Sequence, residues 1–350
     1  MARRSSPSMP PGPCGWTRMW PKFVWRVAAT RCYLRSHKEA ETLGLSPDSS
    51  MTTESRYSST HLTRRGFLGV MGGAAATLAA SAALGQDEPE GIKVSCCAYS
   101  LRELLQADPP EMDLFGFVDY CAELKLDGTE LTSYYFPGGF GDDYVDKLKD
   151  YCAEAGLTIS GGAVGNRFTL PKGEERDKQI EHVVTWLKHY QRLGAPVMRV
   201  FAGNAPEGHS REEAIDWCIE CFRECVPHAE EAGVVMGLEN HGGVTSDAHG
   251  VLEILHGVDS EWLGSNLDTG NFHTEDPYAD MARLAPHAVN CHGKVHVKPA
   301  EGEAHPTDYK RVVAMLRAEG YDKYISIEYE GSDPPLEGVR SEVARIREAL

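Results

Sequence analysis

Residues 211–243 read REEAIDWCIECFRECVPHAEEAGVVMGLENHGG. In the first two thirds, Cys218, Cys221 and Cys225 stand at i, i+3 and i+7, which is one face of a helix. Gly233 then supplies the residue expected just past a helix C-terminus. Val234 to Leu238 is an apolar run that reads as a buried strand, and it turns abruptly into Glu239, Asn240, His241 and two glycines. A carboxylate, an amide and an imidazole at the end of a buried strand need a reason. The two glycines lack a Cβ, so backbone there is expected to approach a ligand closely.

Working outward, the same unit recurs. Strand candidates are IKVSCCAYSL from Ile92, LDGTELTSY from Leu126, LTISGGAVGN from Leu157 and APVMRVFAGN from Ala195. After VVMGLENHGG come LGSNLDTGNF from Leu263, NCHGKVHVKP from Asn290 and YISIEYEG from Tyr324. Amphipathic stretches separate them, and several end in glycine. Strands alternating with helices imply a parallel sheet. Eight units in about 265 residues fit a single-domain (β/α)8 TIM barrel. A doubly wound sheet is the alternative, but no Gly-x-Gly-x-x-Gly follows the first strand.

The chain has 350 residues, of which the barrel needs only 86–350. Before it, residues 62–85 read LTRRGFLGVMGGAAATLAASAALG, a basic pair followed by an apolar, small-residue run. That order is an export signal rather than a fold element. Thr63 to Leu68, with Arg64 and Arg65, resembles a twin-arginine motif, which implies the twin-arginine export machinery as a partner and a periplasmic location. An uncleaved signal would leave a membrane anchor, since the run is near the length of a span. After signal cleavage no stable membrane span is expected. Residues 51–85 are therefore expected to be the signal peptide. Residues 1–50, rich in Arg, Ser and Pro, read as a non-native or disordered extension, with Met51 the expected start.

Charge excludes a class of partner. Of 35 Lys/Arg and 52 Asp/Glu, 11 basic and 4 acidic residues precede residue 87, so residues 87–350 carry 24 against 48, a net charge of −24. Such a body repels phosphate backbones, so nucleic acid is not an expected partner. Eight of the ten cysteines follow residue 86. The helical trio Cys218, Cys221 and Cys225 reads as small buried residues on a core stripe rather than as a metal site. Cys96 and Cys97 are neighbours in a strand and read as packing.

In a TIM barrel, chemistry sits at the C-terminal ends of the strands. Three further strand ends repeat the polarity of Glu239: Asp268 in NLDTGNFH, His296 in KVHVKP and Glu328 in ISIEYEG. The intervals are 29, 28 and 32 residues, about one βα unit each. Two Glu, one Asp and one His on adjacent strands form an oxygen-rich set suited to a divalent cation. Mn2+ is the favoured ion, with Mg2+, Co2+ and Zn2+ as further candidates. Other strand ends offer substrate contacts: Glu130, Arg199, Asn204, His241 and Lys298, with Arg199 equally suited to pair with an internal carboxylate. Tyr134, Tyr135 and Phe136 offer either an apolar wall for a ligand ring or packing between loops.

The motifs LENH, LDTGN, HVKP and IEYEG resemble those of the xylose isomerase-like TIM-barrel superfamily, the sugar phosphate isomerase/epimerase group, over about residues 92–348. The resemblance implies a metal held by Glu239, Asp268, His296 and Glu328, with Glu239 and Glu328 also moving the substrate proton. It implies a metal-dependent sugar isomerase or epimerase working through an enediolate on a carbohydrate, and it admits a homo-oligomer. The same start, with a leaving group beside the enediolate, gives a lyase or dehydratase acting on a keto-sugar, keto-glycoside or cyclitol. An exported sugar-binding barrel with a structural metal is the non-enzymatic alternative. Endonuclease IV, the nucleic-acid member, needs a richer ligand set and a less acidic body. Where epimerases place a substrate-contacting His three residues after the metal Asp, this chain has Asn271, with His273 the nearest His. Pro299 follows HVK where relatives often carry Asp. The Arg that binds sugar in epimerases has no clear match, though Lys298 and His305 lie nearby.

Overall fold

The computed structural model describes residues 91–350. The expected signal with Arg64 and Arg65, and the extension before it, lie outside the described residues. Eight parallel strands close into a barrel in the order β1-β10-β7-β6-β5-β4-β3-β2. They are β1 Lys93–Cys97, β2 Gly128–Thr132, β3 Thr158–Ala163, β4 Val197–Val200, β5 Val235–Glu239, β6 Leu263–Asp268, β7 Ala288–Gly293 and β10 Tyr324–Ile327. Between β7 and β10 the chain makes a small antiparallel ribbon, β8 His296–Val297 with β9 His305–Pro306.

Among the described residues, eight helices of two turns or more surround the barrel: α1 Leu114–Glu123, α2 Asp142–Glu154, α3 Glu174–Leu193, α4 Arg211–Ala232, α5 Ala248–Val258, α6 Pro277–Leu284, α7 Tyr309–Ala318 and α8 Pro335–Ala349. Local chemistry starts and stops them. Ser210 and Glu213 close a capping box at the start of α4, and Gly233 ends that helix in the left-handed conformation. Asp113, Asp247, Asp276 and Asp308 cap α1, α5, α6 and α7 by accepting from backbone N–H groups. Among the described residues no helix is long and apolar enough to cross a membrane.

The apolar core fills the layer between barrel and helices. Cys218, Cys221 and Cys225 turn into it from α4 beside Phe222 and Ile215, all buried. All eight described cysteines are buried and free. Of the two glycines after β5, Gly243 makes a close approach within the protein itself. Gly243 has φ +54°, and a Cβ there would stand 2.2 Å from the Gly203 carbonyl oxygen. The close approach is therefore to the neighbouring loop after β4.

One strand differs from the expectation. β7 ends at Gly293, and the backbone then leaves the barrel, with Lys294 N–H donating to Thr269 Oγ1 at 2.9 Å. His296 thus lies past the strand, exposed in the small ribbon.

Candidate metal centre

β5 and β6 end on Glu239 and Asp268, β7 carries His292 one residue before its end, and Glu328 follows β10. The register sets Asp268 opposite His292. These four residues are buried, and one ligand atom from each lies within 4.8 Å of every other. His292 Nδ1 stands 3.3 Å from Glu328 Oε2 and 3.5 Å from Glu239 Oε2.

Each group is held from behind. Glu239 Oε2 lies 3.1 Å from Arg199 Nε and accepts from Asn266 Nδ2 at 3.2 Å, while Oε1 accepts from Asn271 Nδ2 at 3.1 Å. Asp268 Oδ1 accepts from the N–H groups of Gly270 and Asn271 at 2.8 and 2.9 Å. Asn240 donates to the Asp268 carbonyl and accepts from its N–H, both at 2.9 Å, tying the end of β5 to the end of β6. His292 Nε2 faces Glu130 Oε1 at 3.0 Å. Asp268 Oδ2 and His292 Nδ1, both aimed inward, are buried without a hydrogen-bond partner.

Charge at the centre is unbalanced. Burial pushes the Asp268 carboxyl well above the usual carboxylate range, and the Glu239 and Glu328 carboxylates add to this against the pull of Lys294. Burial opposes ionisation of Glu328 as well, yet the Lys294 and His292 cations hold it well below that range. Burial disfavours the imidazolium of His292, but the Glu130 and Glu328 carboxylates raise it well above the ordinary histidine value. Lys294 Nζ stands 2.8 Å from Glu328 Oε2 and 3.8 Å from Asp268 Oδ2, and also pairs with Glu330.

A divalent cation fits this set. Ligand oxygens about 2.0–2.6 Å from one ion can be no more than about 5 Å apart, which the four groups satisfy. Unpartnered inward atoms and crowded carboxylates are what a cation would relieve. Three oxygens and one imidazole nitrogen suit Mn2+ or Zn2+ chemistry without identifying the metal.

The expected substrate residues separate into three places. Glu130 and Arg199 are enclosed, behind His292 and Glu239 respectively. Arg199 also donates to the Val164 carbonyl at 3.0 Å and lies over the Phe201 ring at 3.9 Å. Asn271, His273, Lys298 and His296 line a cleft of about 250 Å³ with Lys294 and Glu330. His241 is exposed and packs its ring against Phe201, 4.4 Å between centroids. Asn204 is exposed on the loop that Gly243 approaches. His305 stacks on Tyr278 in the small ribbon and does not line the cleft.

The correction is His292 for His296. Their side chains have the same parity along the chain, so alternation does not separate them. Equal spacing points to His296. Counting a strand of ordinary length, about five or six residues, from Ala288 stops instead at His292 or Gly293. The same count would expose Lys294, two residues on, as a wall of the cleft. Asn266 and Asn290 also escape a reading by pattern, because each looks like an ordinary polar residue until the strands are in register.

A sequence model described as Xylose isomerase-like TIM barrel matches residues 118–349. No curated protein sequence matches significantly. The fold is similar to that of the 3-keto-D-glucoside 4-epimerase of E. coli, at 16% identity and TM-score 0.59, over 73% of this chain and 99% of that one. It is similar to a D-psicose 3-epimerase from Clostridium cellulolyticum H10, at 16% identity and TM-score 0.59, over 74% and 96%. It is likewise similar to a probable 3-DHS dehydratase from Bacillus anthracis, at 18% identity and TM-score 0.59, over 73% and 99%. With the family match spanning most of the barrel, the chain belongs to the xylose isomerase-like TIM-barrel family.

Proposed function

We propose that this barrel is a divalent-metal-dependent isomerase or epimerase of a sugar-like substrate. The observation that carries the reading is the pair Glu239 and Glu328 at 3.5 and 3.3 Å from one imidazole nitrogen, with the unpartnered Asp268 Oδ2 beside them. Glu239, Asp268, His292 and Glu328 would hold the ion. When bound, a divalent ion supplies Lewis-acid polarisation of a carbonyl and so acidifies the neighbouring C–H. Glu239, fixed by Arg199, Asn266 and Asn271, accepts the proton from carbon. On the other side Glu328 takes a proton from the Lys294 ammonium, 2.8 Å away, and passes it to carbon, while the proton left on Glu239 returns to Lys294 through solvent. Asn271 and the cleft residues orient the hydroxyls and restrict water.

The neighbours named as epimerases act on a keto-glucoside and on psicose, and a ketose or keto-glycoside is the substrate class we favour. The test is a deuterium-exchange screen in D2O with metal-loaded protein against ketoses and keto-glycosides. Exchange at the carbon beside the carbonyl supports the reading, and no exchange with any of them in a protein that binds metal sinks it.

A dehydratase is the second reading, favoured by Lys294. Its ammonium stands in the cleft wall 2.8 Å from Glu328, where a cation can stabilise a departing oxygen. Loss of water from substrate, seen as an enone absorbance, distinguishes it. We further propose export by the twin-arginine route. Replacing Arg64 and Arg65 with Lys should leave the precursor in the cytoplasm, and unchanged export would refute this.

A further inference from the structure

On the side of His292 away from the metal-holding groups, a second carboxylate is enclosed. Glu130, from β2, has no exposed surface. Both its oxygens lie on His292 Nε2, at 3.0 and 3.2 Å, and Oε2 also accepts from Asn290 Nδ2 at 3.0 Å. Asn290 Nδ2 donates in addition to Asn266 Oδ1 at 2.8 Å, and Asn266 Nδ2 donates to Glu239 Oε2 at 3.2 Å. Residues from β2, β7, β6 and β5 thus form one hydrogen-bonded layer across the barrel. It begins behind one metal-holding side chain and ends on another.

The direction of every bond in this layer is forced by its ends. An ionised carboxylate only accepts hydrogen bonds. Glu130 therefore requires a hydrogen on His292 Nε2 and the amide nitrogen of Asn290 turned towards it. Asn290 can then offer its second N–H only to Asn266 Oδ1, which leaves the Asn266 amide nitrogen for Glu239. With the hydrogen on Nε2, a neutral imidazole has its lone pair on Nδ1, the atom that faces Glu239, Asp268 and Glu328. Nothing else in the layer needs a charge at Glu130. A buried carboxylate carries a large desolvation cost, and an amide or apolar side chain would fill the same space without it.

We infer that Glu130 is a positioning residue for the metal centre rather than a substrate contact. It fixes the tautomer and orientation of His292, and through Asn290 and Asn266 it sets the position of Glu239. This rests on the metal reading above. A carboxylate behind a metal-binding imidazole also raises its strength as a ligand, and losing such a partner typically weakens metal binding about 10–100-fold.

The test uses the full-length chain, Zn2+ and Mn2+ as probes, and the variants Glu130→Gln and Asn290→Ser. Gln keeps the shape and one acceptor but can also present its amide nitrogen to the imidazole. In the Zn2+-loaded protein with 15N-labelled histidine, the unmodified chain should show a low-field Nε2–H resonance for His292. Glu130→Gln should shift or lose it, and competition titration should show metal affinity reduced about 10–100-fold. Asn290→Ser, which removes the amide that steadies Glu130 and holds Asn266 while leaving the Glu130 carboxylate in place, should give the same changes to a smaller degree. It carries the test if Glu130→Gln does not fold. Unchanged affinity together with an unchanged imidazole proton, in whichever variant folds, overturns the inference alone. Failure of the unmodified chain to bind either ion overturns both this inference and the metal reading.

Discussion

Glu130, Asn290, Asn266 and Glu239 at the floor of the barrel mouth are almost wholly enclosed, whereas His241, His273, His296 and Lys298 on its rim are exposed. The two regions obey different physics. A polar group taken out of water must find its partners within the protein, and on the floor these side chains do, each bonded to the next. On the rim, water satisfies what the protein does not, and exposed charges contribute little. On the function proposed above, the floor sets where a cation is held, and the rim can vary with the substrate without disturbing it.

The sharpest way to break this contrast is to remove, in turn, each of the two histidines of the β7 region. His292→Ala should abolish stoichiometric metal binding, while His296→Ala should leave metal content near that of the unmodified protein. Loss of metal on removing His296, measured by elemental analysis, would dissolve the distinction between floor and rim.

Next in size is Glu239→Gln. It retains an oxygen towards the ion but removes the base, and proton transfer by a positioned group contributes about 10²–10⁴-fold. Deuterium exchange at the substrate carbon should fall by that factor with metal still bound. An unchanged exchange rate would move the proton-carrier role, with Glu328 the first alternative.

A third outcome concerns pH. The folded state raises the pKa of His292, so its contribution to metal-free stability is complete below its unfolded value of about 6.5 and is lost as pH rises through the folded value. Glu328 is shifted the other way. Its contribution is present above the unfolded carboxylate value of about 4.3 and is lost as pH falls through the folded value. Metal competes with the proton on His292. The rise in Tm on adding Mn2+ should therefore grow with pH across neutrality, and a rise independent of pH would count against His292 as a ligand.

The smallest effect belongs to the rim. His241→Ala should raise KM several-fold with metal content unchanged, because its ring lies against Phe201 and not among the four converging groups. Loss of metal in that variant would show that the rim also holds the ion.

Much of the floor is legible in the amino-acid sequence. Glu239 stands where an apolar run breaks into a carboxylate, and Asp268 and Glu328 follow at the ends of later strand-like runs, where a barrel strand reaches the mouth. Cys218, Cys221 and Cys225 announce a buried helical face by spacing alone. His292 is not legible in the same way. The run NCHGKVHV carries two histidines of like parity, and only the point where the backbone leaves β7 chooses between them.

By itself, the sequence determined the alternation of strands and helices, hence the barrel, and the oxygen-rich character of its mouth. Those are properties of local pattern, repeated eight times. The tertiary structure decided which histidine faces the carboxylates, that Glu130 and Arg199 are enclosed against His292 and Glu239, and that Asn290 and Asn266 join them. Each of these depends on strand register and on what surrounds a side chain. Register couples residues far apart along the chain, such as Glu130 and His292, 162 positions apart, and no local pattern carries that information.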